Sequence, residues 1–174
     1  DERGAWESGG GRVKWGSSSP RFGVAWNSAS SRVVVAGGPD STLRIFDTAS
    51  KSLVHTLQGH GGWVNTADWS PDGLRIVSAS ADKSLRIWDS VTGKSLMELV
   101  GHSGNVSSVN WNSDGSRIFS ASEDGTIGVW SADTGDLLFQ VDANQNTNPL
   151  TSGLSSVSIN PSSTRIVTAG GNWS

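Results

Sequence analysis

The chain has 174 residues, a formal net charge of -3 and no cysteine. That is enough length for one sizeable domain, and it excludes a disulfide framework or a thiolate zinc site. The basic residues (Arg32, Arg44, Arg75, Arg86, Arg117 and Arg165) recur at intervals instead of clustering, so no nucleic-acid partner is expected. Apolar runs such as Val33–Ala36 are too short to span a bilayer, and no signal segment is visible, so no membrane role and a cytoplasmic or otherwise intracellular, reducing location are expected.

Residues 1–19 carry Gly9–Gly11 and Ser17–Ser19 and remain unassigned; only Arg12 to Trp15 has strand character. From there the chain repeats. Trp26, Trp69 and Trp111 are 43 and 42 residues apart. Phe46, Trp88 and Trp130 are spaced by 42 and 42, as are Asp40, Asp82 and Asp124, and His60 lies 42 before His102. The first unit, 20–57, is degenerate: Phe46 stands where Trp is expected, and Ala36 and Gly38 stand in for the serines of later units.

The second unit, 58–100, is the clearest. Val64–Trp69 predicts a strand ending in the turn Ser70-Pro71-Asp72-Gly73, where Pro presets φ and Gly tolerates a positive one. Arg75–Ser80 is a second strand, Asp82-Lys83 a tight turn, and Ser84–Trp88 a third strand with period-two alternation. Val91–Gly93 turns again into a fourth strand, Ser95–Val100. The third unit, 101–141, repeats this pattern. The fourth, 142–174, opens with a polar loop, Ala143–Pro149, about six residues longer than its counterparts. It reaches two strands and places Asn172 at the aspartate position, 48 after Asp124. Four strands in about 42 residues is the size of a propeller blade.

Gly59-His60 followed by Trp88-Asp89, and Gly101-His102 followed by Trp130-Ser131, resemble the signature of the WD-repeat (WD40-type) β-propeller family. The resemblance covers roughly residues 20–172 and implies an all-β fold: blades of four antiparallel strands in an incomplete ring. Three blades and two strands fall short of the 4–8 blades of such rings. The first expectation is a fragment of a longer propeller. The alternatives are a ring completed by a second chain or copy, and a small ring closed by residues 1–19.

The resemblance also implies a hydrogen-bonded tetrad in each full unit. One joins His60, Ser78 or Ser80, Asp82 and Trp88; the other joins His102, Ser120 or Ser122, Asp124 and Trp130. The paired serines lie two apart on one strand face, so spacing cannot choose between them. Ser, His and Asp together invite a hydrolase reading, but the set occurs twice, whereas an active site would be singular. His55 stands alone, and no His or acidic cluster has metal-ligand spacing. Gly93-Lys94-Ser95 lacks the upstream glycine and the helix of a phosphate loop.

No catalytic, cofactor or metal residue is therefore expected, and the function expected is a protein-interaction scaffold or adaptor binding other proteins or peptides. Trp63, in the connection between units, is the chief anchor candidate, because Trp is enriched in binding hot spots. Lys83 and Asn105 lie on the same expected rim. The rival readings are the propeller portion of a larger enzyme or regulatory protein and, more remotely, a sugar-binding propeller.

Overall fold

The computed structural model describes residues 23–37, 40–143 and 153–170. They form three four-stranded antiparallel sheets and one two-stranded sheet, with no α-helix. The first sheet runs β1 (Gly23–Trp26), β2 (Arg32–Ala36), β3 (Leu43–Asp47) and β4 (Leu53–Leu57) in chain order. The second is β5 (Val64–Trp69), β6 (Arg75–Ser80), β7 (Ser84–Asp89) and β8 (Ser95–Val100). The third is β9 (Val106–Trp111), β10 (Arg117–Ser122), β11 (Thr126–Ser131) and β12 (Leu137–Asp142). Only β13 (Leu154–Ile159) and β14 (Ile166–Gly170) form the last. No sheet closes on itself, so the fold is a run of propeller blades in an incomplete ring.

The sheets stack face to face, and the core lies between them. Val34, Ala36, Leu43, Ile45 and Leu57 of the first sheet pack on Val64, Ala67, Trp69, Ile76 and Trp88 of the second. Val77, Ala79, Leu85, Ile87 and Leu99 of the second meet Val106, Val109, Trp111, Ile118, Trp130 and Ala132 of the third. Phe119, Ala121, Ile127 and Val129 then meet Leu154 and Val157. An inner blade buries both faces, so its strands alternate between two cores instead of between core and water. Trp69 and Trp111, which end β5 and β9, are each 5% exposed.

Register corrects one expectation. β2 pairs β3 as Val33↔Phe46 and Val35↔Arg44, while β6 pairs β7 as Ile76↔Trp88 and Ser78↔Arg86. Val35 and Gly37, not Ala36 and Gly38, therefore stand at the serine positions of the first sheet. Six residues separate the paired Ala36 and Leu43 but five separate the equivalent pair Ala79 and Leu85, and a one-residue slip moves a side chain to the opposite face. Residues 1–19, Gly38, most of the 143–149 loop and Asn172 lie outside the described residues.

Candidate functional site

Each tetrad is assembled from four separate places in a sheet. His60 precedes β5, Ser78 lies mid-β6, Asp82 occupies the β6–β7 turn and Trp88 is the penultimate residue of β7. His60 Nδ1 lies 2.8 Å from Asp82 Oδ2, and His60 Nε2 lies 2.8 Å from Ser78 Oγ. Trp88 Nε1–H donates to the same Ser78 oxygen at 2.8 Å. The carboxylate only accepts, so Nδ1 carries the proton facing it. Burial holds the His60 pKa below its ordinary value, with Asp82 acting in the opposite direction, and the ring is neutral. Nε2 then accepts from the Ser78 hydroxyl, and one chain of donors runs Trp88, Ser78, His60, Asp82.

The third sheet repeats this geometry. His102 Nδ1 is 3.0 Å from Asp124 Oδ2, His102 Nε2 is 2.7 Å from Ser120 Oγ, and Trp130 Nε1 donates to Ser120 at 2.8 Å. The rings also touch, with His60 and Trp88 centroids 6.0 Å apart and His102 and Trp130 centroids 5.8 Å apart.

The open choice between serines resolves by geometry. Ser78 and Ser120 sit between His and Trp. Ser80 instead donates to the Gly62 carbonyl at 3.1 Å and accepts from the Asp82 N–H at 3.1 Å. Ser122 likewise accepts from the Asp124 N–H at 3.1 Å. The two serines of a strand thus divide the work: one supports the side-chain chain and the other supports the turn.

Residue spacing left out two further participants. Ser84 and Thr126, 42 apart, donate hydroxyls to the second oxygen of Asp82 (2.7 Å) and of Asp124. Their equal spacing and shared hydroxyl were the available signal. Gly62 and Gly104 are the other pair. A Cβ on Gly62 would fall 2.9 Å from Asp82 N, and one on Gly104 2.7 Å from Asp124 N, so the connection can press on the turn only without a side chain. Burial pushes Asp82 upward, but hydrogen bonds from Ser84 and His60 outweigh it and hold its pKa at about 2. Asp124 is likewise held at about 2, with burial opposed by Thr126, the Ser103 amide and His102.

Ser78 Oγ accepts from Trp88 and donates to His60, and both Ser78 and the His60 side chain are 0% exposed, so the hydroxyl is closed off from any substrate in solvent. Among the described residues no group of three or more His, Asp or Glu could hold a metal ion. His55 bonds the Val91 carbonyl across the first seam at 2.7 Å.

The rim candidates are placed differently from one another. Trp63 is 53% exposed, with its carbonyl accepting from Ala81 N–H at 2.8 Å, so its backbone is tied while its ring faces solvent. Lys83 is exposed at φ +73°, where the third sheet has Gly125 at +85°. Asn105 is half-buried and occupied: it donates to Glu123 at 3.0 Å and accepts from Asn65 at 2.6 Å, across the seam between second and third sheets.

The chain matches the WD domain, G-beta repeat family over residues 51–89 and 93–131. It is 41% identical over 58 residues to Ribosome assembly protein 4 of Chaetomium thermophilum, covering 33% of this chain and 11% of that protein. It is 50% identical over 44 residues to Ribosome assembly protein 4 of Saccharomyces cerevisiae, covering 25% of this chain and 8% of that protein. The match thus spans about a tenth of the length of these relatives. Among the described residues no helix is long and apolar enough to cross a membrane. Two matched repeats, carried on stacked four-stranded antiparallel sheets, identify residues 51–131 as WD repeats within an incomplete β-propeller.

Proposed function

We propose that the chain is a non-catalytic, intracellular scaffold that presents one rim of its blades to protein or peptide partners within a larger assembly. The observation that carries this reading is the contrast between the polar residues and Trp63. Both Ser-His-Asp sets are spent on internal hydrogen bonds, while a tryptophan remains 53% exposed on a backbone held by the Ala81 amide. A rigidly mounted aromatic ring loses little entropy on binding and offers a large apolar area, which is how interface anchors act. Lys83 places a cation on the adjacent turn, and the Asn105 side chain, engaged by Glu123 and Asn65, shapes the floor beside it.

The relatives are named for ribosome assembly, and the most specific form of the proposal is that this chain works in such an assembly. The roles of the tetrads follow the same logic: His60, Ser78, Asp82 and Trp88, with their counterparts His102, Ser120, Asp124 and Trp130, hold the rim turns in place instead of reacting. Lys83 and Asn105 belong to the partner surface with Trp63.

Quantitative affinity capture with wild-type chain and Trp63→Ala in parallel tests the rim. The expected result is a defined set of proteins lost with the variant while near-ultraviolet circular dichroism is unchanged; identical capture by both forms would remove Trp63 from the surface. A serine-acylating probe should label neither Ser78 nor Ser120, and labelling of either would favour the hydrolase reading.

A further inference from the structure

Trp63, Lys83 and Val100 stand in one row along the end of the second sheet. The Ala81 amide donates to the Trp63 carbonyl at 2.8 Å, and Lys83 lies two residues beyond Ala81 in the β6–β7 turn. The next residue, Ser84, pairs with Val100 at the end of β8. The row therefore crosses from the inner strand to the outer one, three interstrand spacings or about 14 Å. Trp63 is 53% exposed, Val100 is 71% exposed, and Lys83 between them is exposed.

The fold itself does not call for these side chains. The third sheet builds the same row from Asn105, Gly125 and Asp142, with Thr126 pairing Asp142 as Ser84 pairs Val100. There Asn105 is spent on Glu123 and Asn65, and Gly125 has no side chain. Lys83 has a φ of +73°, a left-handed conformation that favours glycine, and Gly125 adopts +85° at the same place. Lysine is thus held where glycine would sit without strain, and its exposed side chain adds no apolar burial to the fold. Its charge is also uncommitted. At this end of the strands Arg44 is paired with Asp40 and Arg86 with Glu98, whereas Lys83 forms no ion pair among the described residues. The neighbouring carboxylates are taken, Asp82 by His60 and Ser84 and Glu98 by Arg86, so the row presents an uncompensated cation between two apolar surfaces.

We propose that this row is a docking site for an extended segment of a partner protein that carries a carboxylate between two apolar side chains. The inference rests on the reading of Trp63 as an anchor and adds the chemistry of what that anchor holds. Side chains at i, i+2 and i+4 of an extended segment lie on one face over about 13 Å, which matches the row. One apolar side chain packs on the Trp63 ring, the central Asp or Glu pairs with Lys83 Nζ, and the second apolar side chain covers Val100. An unpaired cation at the centre selects a carboxylate and rejects a lysine or arginine there.

The test uses the full 174-residue chain and two fluorescent synthetic peptides, read by anisotropy. One has a Leu-Ser-Asp-Ser-Leu centre and the other Leu-Ser-Asn-Ser-Leu, both with Gly-Ser flanks. Saturable binding of the Asp peptide is expected, with the Asn peptide about threefold weaker and less sensitive to added salt. Lys83→Gly should bring the two peptides to equal affinity while the unfolding temperature stays at or above that of wild type, because glycine suits the turn. Trp63→Ala should weaken both peptides about tenfold, and Val100→Gln about threefold. No saturable binding of the Asp peptide, equal affinity of the wild-type chain for both peptides, or a Lys83→Gly chain that still prefers the Asp peptide would overturn the proposal. Loss of both peptides with Trp63→Ala but no change with Lys83→Gly would also sink the acidic centre while leaving the Trp63 anchor standing. Failure of the anchor itself is read separately, from affinity capture with Trp63→Ala.

Discussion

The turn at Asp40 and the turn at Asp82 share a design but differ in what is built on it. In both, one carboxylate oxygen accepts a hydroxyl two residues on: Thr42 at 2.9 Å in the first sheet and Ser84 at 2.7 Å in the second. The other oxygen receives His60 and the Gly61 amide in the second sheet, but the Arg44 guanidinium in the first. Val35 then stands where Ser78 would be, and Phe46, which has no N–H to satisfy, where Trp88 would be. The comparison shows that the Asp-hydroxyl turn is the separable part. Histidine, serine and tryptophan come or go together, because a buried Trp N–H without an acceptor costs about 1–3 kcal/mol.

The sharpest way to break this comparison is to remove the large ring. Trp88→Ala should cost about 3–5 kcal/mol, because it opens a cavity between the first and second sheets and strips Ser78 of its donor. Phe46→Ala, on a half-buried ring, should cost about 1–2 kcal/mol by lost apolar burial alone. Urea denaturation of the two variants measures both. If the two costs are equal, the polar chain contributes nothing beyond apolar area.

Ser78→Ala leaves the Trp88 N–H and His60 Nε2 without a partner, and a loss of about 1–3 kcal/mol is expected. Ser80→Ala should cost less, about 0.5–1.5 kcal/mol, since its bonds are to backbone groups of the connection and turn. Reversal of that order in denaturant midpoints would reassign the two serines.

Acid sharpens the comparison in a second direction. Asp82 and Asp124 have folded pKa values of about 2, below the ordinary carboxylate value, so their contribution is complete above that ordinary value. It is lost as pH falls towards the folded pKa, over roughly pH 4 to 2. His60 acts with the same sign at higher pH: its folded pKa lies below its ordinary value of 6.5, so acidification below that point favours the unfolded chain. Asp68 opposes both, since burial raises its pKa and protonation favours the fold. Stability measured from pH 7 to 2 should fall, and the double variant Asp82→Asn with Asp124→Asn should flatten the lower part of that slope. An unchanged slope would mean that the acid sensitivity lies elsewhere.

The smallest effect belongs to Phe46→Trp. Phe46 is half-buried, so water reaches the new N–H although Val35 offers no hydroxyl, and restoring the ring alone should change stability by no more than about 0.5 kcal/mol. A gain well beyond that, seen in the same denaturation experiment, would show that tryptophan contributes without its network.

Much of this molecule was legible from residue order. The period of 42, the Pro-Asp-Gly turn at 71–73 and the alternation of Ser84–Trp88 determined strands, turns and blade type, because each depends on neighbours a few residues away. The pairing of His60 with Asp82 across 22 residues was reached through family resemblance, not through local chemistry. What tertiary structure alone decided is more specific. It chose Ser78 over Ser80, because two residues on one strand face differ only in what stands opposite them. It moved the degenerate serine positions from Ala36 and Gly38 to Val35 and Gly37, because register between β2 and β3 depends on turn length. It brought in Ser84, Thr126, Gly62 and Gly104, whose roles exist only where the connection meets the turn. It also separated exposed Trp63 from buried Trp69, six residues apart in one segment, because burial in stacked sheets is set by the neighbouring sheet, and no local pattern contains that neighbour.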